Sequence, residues 1–255
     1  MKFDYITSEI REDIGIVTIN NQQTLNSISA KVLSELAEKM KEYDHHKSIK
    51  VIVLKGVDKS FAAGLDIRAI AAEINDAKEI IESMQHDFEA IKNTSKPVIA
   101  AISGFSLGIG CELALSCDIV LATENSRFGL PELSVGLLPC FGGCSALASR
   151  IGKAKAMDVI LSGKALSADE AERAGLISRI VTPESLEEEF MKLARRIALL
   201  PQNTVVTAKK LIKACAESSL AATENLCSLY AVESGEFKQI LLSYAVKKPS
   251  ETEKA

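Results

Sequence analysis

Histidine and tryptophan are what this chain has least of: three histidines (His45, His46 and His86) and no tryptophan among 255 residues. A histidine-built metal centre therefore has almost nothing to draw on. Gly104-Phe105-Ser106-Leu107-Gly108 matches the G-x-S-x-G pattern of a hydrolase nucleophile elbow. That fold wants its histidine downstream of the serine, and all three histidines lie upstream, so the triad cannot be completed in the usual chain order. C-x-x-C pairs are also missing. The six cysteines (111, 117, 140, 144, 215 and 227) sit mostly in apolar segments, which predicts buried free thiols in a reducing compartment. The C-x-x-x-C at Cys140 and Cys144 has no downstream histidine to complete a zinc set.

Long uninterrupted apolar runs are scarce too. Val98 to Cys117 contains no Lys or Arg and is about the ~20 residues that a bilayer needs. It also carries Glu112 and is diluted by Ser and Gly, which argues against insertion. The first residues, MKFDYITSEI, contain two acidic side chains and no apolar core, unlike a secretory signal or an Arg-rich transit peptide. The expectation is a cytoplasmic protein without a membrane partner. With 47% hydrophobic and 25% charged residues the chain can bury a full core. A net charge of -4 makes nucleic acid an improbable general partner.

Most of the chemistry-bearing residues fall between Lys96 and Leu133. Pro97 to Ile102 has the composition of a strand buried on both faces, then breaks into a loop with Gly104, Gly108 and Gly110 before Glu112. Free amides at a helix N-terminus suit an anionic oxygen. Strand-like runs from Asp118 to Ala122 and Ser126 to Gly129 lead to Glu132 in a Gly/Pro loop. Two glutamates on loops beside a buried strand suggest acid/base chemistry on a carbonyl compound.

Upstream, Tyr5–Ile10 and Gly15–Ile19 read as a hairpin, and Ser29 caps a helix with Val32, Leu33, Leu36, Met40 and Tyr43 on one face. A strand from Ile49 to Leu54 precedes the small-residue turn Ala62-Ala63-Gly64-Leu65, with Asp66 as the N-cap of a helix running from Ile67 to Asn93. Downstream, Gly152 to Leu161 reads as a helix and Ser167-Ala168-Asp169-Glu170 as a capping box. Leu176 to Val181 is a short strand, and a charged amphipathic helix runs from Pro183 to about Leu200. From Gln202 onward the pattern is helical, including Leu211, Ile212, Leu226, Leu229, Tyr230, Phe237, Leu241 and Tyr244.

KPVIAAISGFSLGIGCELALSCDIVLA, then RFGLPELSVGLLP, with the earlier KSFAAGLDI and Leu25-Asn26-Ser27-Ile28, resemble the enoyl-CoA hydratase/isomerase (crotonase) superfamily. The likeness persists to Phe237-Lys238 and Lys247-Lys248-Pro249. It implies an α/β fold with a crotonase-like ββα spiral core over 1–200 carrying the CoA-thioester site, and a C-terminal helical trimerisation region over 201–255. It implies a homo-trimer or hexamer acting on an acyl-CoA thioester, with no cofactor beyond the coenzyme A that is part of the substrate. By the same resemblance Glu112 orients and deprotonates water, and Glu132 delivers a proton to the α-carbon. The N–H groups of Leu65 and Ile109 form the oxyanion hole. Ser27, Ala63, Gly64, Leu65, Asp66, Ile67, Gly108 and Cys140 touch the substrate. Both glutamates favour a hydratase over an isomerase or a non-catalytic crotonase-fold binding protein. Two departures stand out. Ile109 replaces a glycine at the second donor, and Cys140-Phe141 replace small residues at the acyl end, predicting an altered or narrowed pocket there.

Overall fold

The computed structural model describes residues 3–57, 59–216, 239, 242 and 243. The hairpin forms as expected: strand β1 (Ile6–Arg11) pairs antiparallel with β2 (Ile14–Ile19). Helix α1 (Ala30–His45) starts at Ser29, whose hydroxyl accepts from Val32 N at 3.3 Å. Beyond it the chain repeats one unit three times. Strand β3 (Val51–Gly56) passes to the short β4 (Ser60–Ala62) and then to helices α2 (Ile67–Ala72) and α3 (Ala77–Lys92). Strand β5 (Val98–Ile102) passes to β6 (Phe105–Leu107) and helix α4 (Ile109–Ser116). Strand β7 (Ile119–Thr123) passes to β8 (Arg127–Gly129), a 3₁₀ turn at Glu132–Val135 and helix α5 (Gly143–Ile151).

Each turn of this ββα spiral adds one strand to each of two sheets. The larger has the order β1-β2-β3-β5-β7-β10, parallel from β2 onward, where β10 is Arg179–Val181. The smaller has the order β4-β6-β8-β9, with β9 (Leu166–Ser167) antiparallel at its edge. Helices α6 (Lys153–Ser162), α7 (Ala168–Arg173), α8 (Leu186–Ala198) and α9 (Gln202–Ala216) complete the described chain.

The central strands are apolar throughout because both faces are covered. Ile52, Leu54, Ala100, Ile102, Val120 and Ala122 face the main core with α1 and α3, while Val51, Val53, Ile99, Ala101 and Leu121 face Phe190, Met191, Ala194 and Ala198 of α8. The run from Val98 to Cys117 is thus a strand, a short strand and a helix. No helix among the described residues is long and apolar enough to cross a membrane.

Three sequence expectations change. The single helix from Ile67 to Asn93 is broken at Glu73 (φ -123°, ψ 43°) and by a 3₁₀ turn at Ile74–Asp76. The apolar phase Ile70, Ile74, Ala77, Ile81 runs through the break and conceals it, whereas Asn75 and Asp76 are residues whose side chains compete for the backbone. The Gly/Ser hand-over after β5 contains strand β6, and the small-residue turn contains β4. Both are only three residues long, too short to show a period of two. Helix α5, which begins at a glycine pair, was also not legible as a helix. The capping box at Ser167 and Glu170 is present. On α9, Leu211 and Ile212 are exposed. Expectations for Leu226, Leu229, Tyr230, Phe237, Leu241, Tyr244 and 247–249 lie outside the described residues.

Candidate active site

Because β4, β6 and β8 run parallel and adjacent, their C-terminal ends bring three turns side by side. These turns carry Leu65, Ile109 and Glu132. The β6–α4 turn is only one residue long and depends on Gly108, at φ +52° and ψ -131°, a region that L side chains avoid. A Cβ there would stand 3.0 Å from Glu132 Oε1 and 3.5 Å from Gly64 Cα, so all three turns converge on this glycine. Gly108 N is spent on Gly129 O at 2.9 Å. The Ile109 and Leu65 N–H groups donate to no protein acceptor among the described residues. Ile109 keeps a negative φ and its side chain is buried in the core, so the bulk that replaces the glycine points away from the turn.

The Leu65 turn is held from two sides. Ile28 N donates to Gly64 O at 2.8 Å and Asp66 N to Ile28 O at 2.9 Å, while the Asp66 carboxylate accepts from Ala69 N at 3.1 Å and caps α2. Asn26 anchors the segment before it. It is 1% exposed, at φ +60°, and its side chain accepts from Asn21 N and donates to Val57 O and Ser60 O. Reasoning from sequence had not singled it out, although an Asn before Ser-Ile in a loop is a residue that tolerates positive φ. The neighbouring Ser27 has a hydroxyl that is buried and has no hydrogen-bond partner among the described residues.

The two glutamates have unlike surroundings. Glu112, in the first turn of α4, is buried, and its Oε1 accepts from Phe141 N at 2.9 Å and Gly143 N at 2.8 Å. Gly143 is required by that approach, since a Cβ on it would lie 2.8 Å from Glu112 Oε1. Two amide donors fix the carboxylate and match its negative charge. Glu132 has a buried Oε2 with no hydrogen-bond partner among the described residues. Burial pushes its pKa up from 4.5 to about 7, partly offset by a hydrogen bond from its own backbone N–H.

Glu132 lines a pocket of about 140 Å³ together with Ala63, Gly64, Leu65, Ile67, Gly108, Pro131, Ser134, Val135 and Leu137. Five of the expected substrate-contacting and oxyanion positions are thus on one cavity wall. Ser27, Asp66, Ile109, Glu112 and Cys140 are not on its lining. Cys140 is buried, with its thiol donating to Leu138 O at 2.9 Å.

Other sequence candidates resolve simply. Ser106 is fully buried within β6 and donates to Gly110 O at 3.1 Å, so it is a structural hydroxyl and not an exposed nucleophile. His45, His46 and His86 are exposed. Cys111, Cys117, Cys140 and Cys144 are free thiols. Burial pushes the Cys117 thiol up to about 12 and the Cys111 thiol well above its usual range. No group of three or more His, Cys, Asp or Glu among the described residues is placed to hold a metal.

Residues 9–248 match the family described as enoyl-CoA hydratase/isomerase. A probable enoyl-CoA hydratase of Rhizobium meliloti is 39% identical over 225 residues, covering 87% of this chain and 86% of its own. A probable mitochondrial enoyl-CoA hydratase of Dictyostelium discoideum is 40% identical over 216 residues, covering 84% and 77%. Among solved structures, an enoyl-CoA hydratase from Mycobacterium tuberculosis superposes with a TM-score of 0.80 at 31% identity, over 91% of this chain and 100% of that one.

Proposed function

The chain belongs to the enoyl-CoA hydratase/isomerase family, and from that premise we propose that it adds water reversibly across the 2,3 double bond of an enoyl-CoA thioester. The observation that carries this reading is a pair of buried carboxyls in which one, Glu112, is held by two amides and the other, Glu132, is raised by burial beside Gly108. A carboxyl whose proton is held by burial can act as an acid at neutral pH, and a carboxylate fixed by amide donors can act as the base.

In the proposed reaction Glu112 takes a proton from the attacking water as its oxygen bonds to the β-carbon. The thioester oxygen gains charge as an enolate forms, and the Leu65 and Ile109 N–H groups stabilise it. One such donor is typically worth about 2.7–4 kcal/mol. Glu132 then protonates the α-carbon, and the proton held by Glu112 returns the pair to its starting state. The chemistry needs no resident cofactor, since coenzyme A is part of the substrate.

One observation favours an isomerase as the second reading. Glu132 lines the pocket and Glu112 does not, and shifting a double bond needs only one carboxylate to carry the proton. Loss of the conjugated-enoyl absorbance with crotonyl-CoA, measured for the wild type, Glu112→Gln and Glu132→Gln, separates the two. Hydration abolished in both variants supports the hydratase. An inert wild type, with 3-enoyl-CoA isomerised by Glu112→Gln, supports the isomerase.

The proposed setting is acyl-CoA metabolism in the cytoplasm, in a homo-trimer or hexamer. Exposed Leu199, Leu200, Leu211 and Ile212 give the C-terminal part apolar surface suited to a neighbouring subunit. The division into a core over 1–200 and a helical region over 201–255 belongs to the same proposal.

A further inference from the structure

Leu137 lines the pocket, and the loop that follows it in the chain is packed shut. Cys140 and Phe141 are 3% and 7% exposed. The Phe141 ring rests on Phe88, which is itself buried, with centroids 5.1 Å apart. Gln85 Nε2 reaches from the same helix to donate to Cys140 O at 2.9 Å and latches the loop to α3. Near Glu112 there is no room for a methyl group, because a Cβ on Gly143 would also come within 3.0 Å of Leu130 Cδ1. The open volume of about 140 Å³ is well below the ~300 Å³ at which small-molecule pockets usually begin.

On the hydratase reading the reacting carbons lie between Glu132, on the pocket wall, and Glu112, beneath the loop that supplies Phe141 N and Gly143 N. That loop is the wall that an acyl chain extending past the reacting carbons on the Glu112 side would meet. We propose, resting on that reading, that the Phe88–Phe141 pair and its Gln85 latch form the wall that restricts this site to short-chain 2-enoyl-CoA thioesters. Phe88 touches no reacting atom. It is a positioning residue that sets acyl length by backing Phe141.

The test is kcat/KM for crotonyl-, 2-hexenoyl-, 2-octenoyl- and 2-decenoyl-CoA in the wild type, Phe88→Leu and Gln85→Ala. Calorimetric binding of butyryl- and octanoyl-CoA is measured alongside. A misfit methylene is discriminated by about 10-fold or more in a tight apolar site, so the wild type should favour crotonyl- over octenoyl-CoA by at least about 100-fold. The variants should cut that ratio at least about 10-fold by raising the long substrates. Butyryl-CoA should bind the wild type more tightly than octanoyl-CoA, and the variants should relax this preference.

Equal wild-type kcat/KM for crotonyl- and octenoyl-CoA overturns the wall. So do folded variants, with unchanged far-ultraviolet spectra, that leave the ratio unmoved. Should no enoyl-CoA be hydrated at all, the hydratase reading fails while the binding preference still decides the wall. Gln85→Ala guards against a Phe88 variant that does not fold.

Discussion

The Glu132 carboxyl is the most exacting place to test the site, because one substitution should remove function and add stability. Its pKa is raised from 4.5 to about 7 in the folded chain, chiefly by burial. The folded state therefore holds this proton more tightly than the unfolded state, and ionisation opposes folding. Below pH 4.5 both states are protonated and the site costs nothing. As pH rises from 4.5 to about 7 the unfolded carboxyl ionises first and stability is progressively lost; above about 7 the loss is complete and level.

A rise of that size is worth up to roughly 3 kcal/mol, an upper limit because the residue as a whole is only half-buried. Glu132→Gln keeps the shape and cannot ionise. The variant should gain on the wild type with rising pH, its advantage growing by up to roughly 3 kcal/mol between pH 4.5 and 8. At about 2–4 °C per kcal/mol for a chain of this size, the Tm gap should widen by roughly 6–12 °C at most. Thermal unfolding of both proteins at fixed concentration, in steps from pH 4.5 to 8.5, measures it, and titrating groups that do not interact with Glu132 cancel in the difference. A gap that stays constant with pH, or closes as pH rises, would refute the claim that this carboxyl is held protonated by burial.

Three further outcomes follow from the packing. Gly143→Ala puts a Cβ 2.8 Å from Glu112 Oε1 and must displace it; kcat for crotonyl-CoA hydration should fall about 100-fold, as for other small misplacements of a reacting group, and overpacking should lower stability by about 1–3 kcal/mol. Gly104 sits at φ +71°, and a Cβ there would lie 1.7 Å from Lys59 O. Gly104→Ala has no side chain to push aside and should be destabilised by about 4 kcal/mol or more, read as a large drop in Tm or loss of soluble protein. Asn26→Ala leaves Asn21 N, Val57 O and Ser60 O without their partner; urea unfolding should show a loss of about 1–3 kcal/mol, with KM rising as the Leu65 turn loosens.

What the sequence by itself determined is the part written in local pattern. Apolar runs marked β3, β5 and β7, because a strand covered on both faces has no polar side to show. Ser29, Asp66 and Ser167 marked helix starts, because a cap is a contact between near neighbours in the chain. Motif resemblance reached the family and pointed to Glu112 and Glu132 as the candidate carboxyls.

Only the tertiary structure decided what depends on strands coming together. The smaller sheet is built from pieces of two or three residues at β4, β6, β8 and β9, each too short to carry a period, and it exists only because each turn of the spiral lays one beside the last. That stacking draws the turns of Gly64, Gly108 and Glu132 to one point. Long-range packing likewise set the difference between the carboxylates. Glu112 receives its amides from residues 29 and 31 positions away, and Glu132 loses water to surrounding turns. No window of sequence contains those neighbours. The Cys140-Phe141 departure was visible as a change of residue, but its consequence depends on Phe88, more than fifty positions earlier, which the fold presses against it.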